Sequence, residues 1–239
     1  MRVECKAKYS LCYIYFPYFI MQKFTNLIIS FLILIGSYFA YGILLSIIAQ
    51  LLSVDLSVYK QDGILDLLQS DLSKAFILIV IFGPIAEEMM FRTLINPRHI
   101  DLILFIVIWP VFFLMQFIPL DVHWAIKITF TVIFLFTVTY IVQQLIPKNR
   151  TIRVRNWLKQ YDYLLLILTS LIFGFVHINN YVEAFTINLA LILLILPRII
   201  AGFMLGYIKL KNESLLWSIC LHAMNNGLAF FFIVFFKGI

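Results

Sequence analysis

A few polar side chains stand where this sequence offers water almost no other foothold. Glu87, Glu88 and Arg92 interrupt the apolar run 77–95, His177 follows a second apolar run, and His222, Asn225 and Asn226 lie inside a third. A charged group at the centre of a membrane helix costs about 2.5–3.5 kcal/mol on insertion scales, so such groups turn inward and mark functional sites. Glu88 and Arg92 are four apart with the acid first, the favourable order for an ion pair on one helix face. Glu87 is rotated about 100° from Glu88 and has no basic partner on its own helix. His222 and Asn226 share a helix face at four-residue spacing, as do Phe173 and His177. One unpaired carboxylate, two imidazoles and an amide donor form a set able to activate water for hydrolysis.

Taken singly, each of these residues has a plainer role. Glu88 with Arg92 can fix helix registry as a buried pair. A histidine, or either asparagine, can tie two helices together through hydrogen bonds. Phe173 reads as packing. The joint pattern, drawn from three separate runs, is what favours a shared cavity.

The elements that must position these groups are membrane spans. Of 239 residues, 63% are hydrophobic and 13% charged, so most segments have no polar face to give to water. Repeated apolar runs near helix-crossing length indicate an all-α, polytopic transmembrane helical bundle. About seven spans are expected, at 27–52, 73–96, 100–118, 125–146, 161–178, 183–210 and 214–236. Residues 1–26 read as an N-terminal interfacial or partly inserted segment, and 27–239 as a single transmembrane domain whose motif-bearing core is about 77–230. Both Met1 and Met21 stand as possible starts. Within 53–74 the spacing of Ile64, Leu65, Leu67 and Leu68 predicts a short amphipathic surface helix.

The net charge of +6 is topological. Lys148, Arg150, Arg153, Arg155 and Lys159 fill a short loop between spans, and such loops stay cytoplasmic. With the Arg98 turn and Lys209/Lys211 on that side, the N-terminus is cytoplasmic too. No nucleic-acid module accompanies the basic loop, so no nucleic-acid partner is expected, and the bilayer itself is the partner. Cys5, Cys12 and Cys220 show neither CxxC nor zinc-ribbon spacing. The wealth of Ile, Phe and Lys hints at an AT-rich bacterial genome, hence an integral protein of a bacterial cell membrane.

In order, Glu87-Glu88-x-x-x-Arg92, Phe173-x-x-x-His177 and His222-x-x-x-Asn226 resemble the motifs of the CPBP family, the CAAX proteases and bacteriocin-processing (Abi-type) intramembrane endopeptidases. The stretch from Gly202 through Gly206 and Tyr207, then Leu215, Leu216 and Trp217, resembles the C-terminal half of that family. Thr93 departs from its usual glycine, and a hairpin at 100–146 lengthens the gap between Glu87 and His177. The resemblance implies hydrolysis of a peptide bond in a membrane-associated peptide or protein. In that reading Glu87 is the general base on a water held by His177 and His222, and Asn226 donates to the oxyanion. Glu88, Arg92, Phe173 and Asn225 are supporting residues. The substrate is left open between a prenylated C-terminus, a bacteriocin leader and another membrane protein. A zinc ion on Glu87, His177 and His222 is possible, but without HExxH, and with Glu87 needed as base, a metal-independent glutamate mechanism without a cofactor is favoured over a metal-dependent CAAX-like one. A non-proteolytic bacteriocin-immunity or regulatory protein using the same cavity for binding is the alternative. A proton-relay transporter lacks the expected paired broken helices.

Overall fold

The computed structural model describes residues 9–59, 62–115, 118, 121–182 and 186–237, and these are helical with short connections. In chain order the helices are α1 (Tyr9–Leu51), α2 (Asp62–Ser70), α3 (Leu72–Phe76), a π turn (Ile77–Phe82), α4 (Gly83–Phe91), α5 (His99–Met115) and α6 (Trp124–Leu145). There follow α7 (Lys148–Leu158), α8 (Asp162–Val176), α9 (Leu189–Asn212) and α10 (Leu215–Lys237), with short 3-10 turns at Lys159–Tyr161 and His177–Asn180. The all-α expectation is met. Arg2, Lys6, Lys8, Cys5 and residues 183–185 of the sixth expected span lie outside the described residues.

Five helical runs are long and apolar enough to cross a membrane: Ile20–Leu51, Trp124–Leu145, Lys148–Asn180, Leu189–Asn212 and Leu215–Phe236. The other two expected spans are shorter or divided. α5 is a shorter apolar helix, and the run from α3 through α4 is split by the π turn. α1 passes through position 26 without a break. The sixth span begins at Leu189, because the Asn188 side chain accepts from the Leu191 N–H and caps the helix there. The basic connection read as a loop is the helix α7, with Thr151 and Leu158 buried.

α8 and α9 pack closely enough to demand small residues. A Cβ on Gly202 would lie 3.0 Å from the Ser170 Cα, and one on Gly174 would lie 2.2 Å from Ile199 Cγ1. α1 lies across α9, pinned at one end by Asn26 Nδ2 donating to Asn212 Oδ1 (2.8 Å) and higher up by the Tyr41 hydroxyl donating to the Leu193 carbonyl (2.5 Å). The main core joins these helices to α10 through Leu27, Leu34, Phe173, Leu205, Ile208 and Leu221. α6 has no buried residue and leans on α5, where Phe134, Leu135, Val138 and Val142 cover Ile103, Val107 and Val111. The 100–146 hairpin thus supplies an inner helix and an outer one.

Lys209 departs from expectation. Read from sequence it counts as a loop cation that sets topology. In the fold it is 1% exposed, lies 3.4 Å from the buried Asp101 of α5, and donates to the Arg92 carbonyl at 2.5 Å. It therefore adds a second donor at the C-terminal end of α4, where the Arg92 carbonyl also accepts from the Ile95 N–H.

Candidate active site

The run 77–91 is a helix with one turn too wide. Gly83 N–H reaches back five residues to the Leu78 carbonyl, the π spacing, before α4 resumes. A π turn adds a residue relative to the α register, so everything after it is rotated by about 100°. That rotation decides which way the two glutamates face.

Glu88 is fully buried against α10. His222 Nδ1 lies 2.9 Å from Glu88 Oε1, and the Ser218 hydroxyl sits between Glu88 Oε2 and the Leu205 carbonyl. Ser218, His222 and Asn226 recur every four residues and so share one face of α10. Arg92 Nε is 3.7 Å from Glu88 Oε2, an ion pair without a hydrogen bond. Among the described residues, no nitrogen of the buried Arg92 guanidinium has a hydrogen-bond partner. The guanidinium is instead 4.6 Å from the Phe173 ring centroid and 5.8 Å from that of Phe91. The expected Glu88–Arg92 pair is present, but Glu88 accepts its hydrogen bonds from His222 and Ser218. Phe173 does more than pack: besides carrying Arg92, its ring lies 4.6 Å from the His177 ring and edge-on to that of His222 at 5.7 Å.

Glu87 turns to the other side. Its Oε2 is 3.8 Å from His177 Nε2 and 3.8 Å from His222 Nε2, and that atom is buried without a hydrogen-bond partner among the described residues. His177 Nδ1 lies 2.6 Å from the Phe173 carbonyl, an acceptor, so Nδ1 carries the proton. The carboxylate of Glu88 fixes His222 the same way. In the neutral rings both Nε2 atoms are then acceptors. Two lone pairs and a carboxylate oxygen therefore face one another across 3.8 Å.

These groups line a cavity of about 300 Å³ together with Phe173, Asn225 and Asn226. Asn226 Nδ2 donates to the Ile79 carbonyl at 3.0 Å, and Asn225 Nδ2 donates to Asn226 Oδ1 at 3.3 Å. Arg198, one residue past Pro197 in α9, lines the same wall, as do Ile64 and Leu68 of the short helix α2. Six of the eight residues singled out from sequence line the cavity, and the fully buried Glu88 and Arg92 stand behind them against His222 and Phe173. Sequence reading missed Ser218, although it lies one turn before His222. It also missed the Asp101–Lys209 pair and the π turn itself, for which Gly83-Pro84 is the only local sign.

Two imidazole nitrogens and a carboxylate suit zinc chemically. Ligands at about 2.0–2.1 Å from a tetrahedral zinc stand roughly 3.3–3.4 Å apart, closer than the 3.8 Å separations here. Among the described residues no three His, Cys, Asp or Glu side chains are grouped to hold a metal ion. The residues as placed do not fit the ion, and the chemistry is developed without it.

Membrane-length apolar helices surround a half-buried carboxylate and two imidazoles, as fits an integral membrane protein. Residues 149–228 match the family model described as Rce1-like, type II CAAX prenyl endopeptidase Rce1-like. That similarity agrees with the resemblance drawn from the motifs, and it supports an intramembrane protease acting on a membrane-associated protein. The match takes in His177, His222, Asn225 and Asn226; Glu87, Glu88 and Arg92 lie before it and join the site through the contacts above. No curated protein and no solved structure matches the chain.

Proposed function

We propose that the protein is an intramembrane endopeptidase in which Glu87 activates a water molecule seated between His177 and His222. The observation that carries this reading is the convergence of three acceptors, Glu87 Oε2 and two Nε2 atoms, at 3.8 Å. That is too far for direct hydrogen bonds and suited to a molecule with two hydrogens to give.

In the reaction Glu87 takes a proton from the water as its oxygen attacks the peptide carbonyl carbon. The tetrahedral intermediate carries the negative charge on the former carbonyl oxygen. Asn226 has one amide hydrogen committed to Ile79 and turns its second toward that oxygen. A single donor of this kind is worth about 2.7–4 kcal/mol in the transition state. The proton held by Glu87 passes to the departing amine as the C–N bond breaks. Fixed Nδ1 partners on both histidines keep the rings aimed, so little reorganisation is needed.

The substrate is a membrane-associated peptide, and one ending in a prenylated C-terminus is the first to try, given the family's description. Wild-type protein and Glu87→Gln, reconstituted in liposomes with a library of membrane peptides, provide the test, with products read by mass spectrometry. Wild-type cleavage that vanishes in Glu87→Gln is expected. Cleavage that survives Glu87→Gln sinks the assignment.

A further inference from the structure

The π turn contains a hydrogen bond that the backbone cannot make. Gly83 donates to Leu78, five residues back, so the next N–H in that register belongs to position 84 and would meet the Ile79 carbonyl. Pro84 has no N–H. The Ile79 carbonyl is instead taken by Asn226 Nδ2 from α10, at 3.0 Å. The same device recurs in α9. Pro197 cannot donate to the Leu193 carbonyl four residues back, and the Tyr41 hydroxyl of α1 takes that carbonyl at 2.5 Å. Inside a bilayer, carbonyls freed by proline must be satisfied from neighbouring helices.

The two cases differ in what they hold. Tyr41 ties α9 at Leu193, which does not line the cavity. Asn226 holds the wide turn whose extra residue rotates Glu87 toward the histidines. α10 grips the run on both sides of Glu87, at Ile79 through Asn226 and at Glu88 through His222. Gly83 completes the turn, since a Cβ there would lie 3.0 Å from the Leu78 carbonyl oxygen and 3.8 Å from Glu87 Oε1.

We propose that Asn226 is a positioning residue for Glu87: its side-chain amide replaces the backbone donor missing at Pro84 and so locks the π turn that aims the carboxylate. The kinetic reading of this proposal rests on Glu87 as base; the structural reading does not. This role uses one amide hydrogen and is separate from donation to an oxyanion by the other.

Restoring the missing donor tests it. In Pro84→Ala, the new N–H lies in register to take the Ile79 carbonyl, so activity stays near wild type. Asn226→Ala loses both roles. Combining Pro84→Ala with Asn226→Ala should raise kcat over Asn226→Ala by roughly 10–100-fold, the scale of a 1 Å misplacement at a reacting centre, with KM unchanged. The gap that remains is the oxyanion share. Tyr41→Phe is the control: its melting temperature falls, while kcat of the folded protein does not change. A readout independent of activity is the infrared carboxyl band of Glu87, identified by its loss in Glu87→Gln. It should shift in Asn226→Ala and return in the double variant. A double variant with neither kcat nor the Glu87 band restored overturns the proposal. So does a Pro84→Ala variant that by itself moves both as far as Asn226→Ala. If the wild-type protein cleaves no peptide, the endopeptidase reading fails and the Glu87 band alone decides the positioning role.

Discussion

Exchanging each of the adjacent glutamates for glutamine should separate catalysis from folding, because the two carboxylates have opposite surroundings. Glu88 and Arg92 are both 0% exposed, and Glu88 also serves His222 and Ser218. Glu88→Gln leaves the guanidinium buried without a counter-charge, and removing one partner of a buried pair costs about 3–5 kcal/mol. At about 2–4 °C per kcal/mol for a chain of this size, the melting temperature should fall by roughly 6–20 °C. Glu87 differs: its side chain is 33% exposed and its buried Oε2 has no hydrogen-bond partner among the described residues. Glu87→Gln breaks no such contact, so stability should stay within about 0.5 kcal/mol of wild type, while cleavage is lost. The double variant Glu88→Gln with Arg92→Met removes the stranded charge and should regain most of the lost stability. Thermal unfolding in detergent, followed by circular dichroism, gives all four values. A Glu88→Gln protein that melts with the wild type, or a double variant no better than Glu88→Gln alone, refutes the reasoning.

Three other outcomes are expected. Lys209→Met takes one of two cations from the buried Asp101, which keeps Arg98, and one of two donors from the Arg92 carbonyl, and should cost about 1.5–3 kcal/mol in unfolding measurements. Gly202→Ala presses a methyl on the Ser170 backbone and Gly174→Ala presses one on the Ile199 side chain; each should cost about 1–3 kcal/mol, and Ile199→Ala should relieve the second alone, as melting curves of the pairs will tell. Outside the spans, the Ser57 hydroxyl, and then its N–H, hold the Asp55 carboxyl below the usual aspartate value. The turn they form is therefore present above the ordinary aspartate pKa and opens as the pH falls through the lowered one, and an NMR titration should find the Asp55 value raised in Ser57→Ala.

Helix content and the inward set of polar residues were legible in the sequence for one reason: lipid punishes an exposed carboxylate, so Glu87, Glu88, His177 and His222 had to share an interior. What that argument cannot supply is direction. From spacing alone Glu88 faces Arg92, four residues on, whereas the π turn and the Ser218–His222–Asn226 face of α10 draw Glu88 into a different set of hydrogen bonds. Lys209 misled for a related reason. A lysine near a helix end normally belongs to water, and only its contact with Asp101, far away in sequence, shows that it is buried. Asn226 was expected to serve the reaction; its bond to Ile79 depends on an amide hydrogen that Pro84 lacks, which shows only when α10 lies beside the turn.

The grip of α10 on the run 77–91 also has a bearing on biogenesis. Ribosomes make α10 after every other helix described, more than a hundred residues behind Glu88. Until it arrives in the bilayer, the Ile79 carbonyl has no amide to meet, Glu88 has neither His222 nor Ser218, and Glu87 has only one of its two imidazoles. A nascent chain halted before α10 therefore holds an unfinished helix that quality-control machinery can recognise by its unpaired polar groups, and it holds no working cavity. Translation order alone keeps the cavity incomplete until α10 is in place.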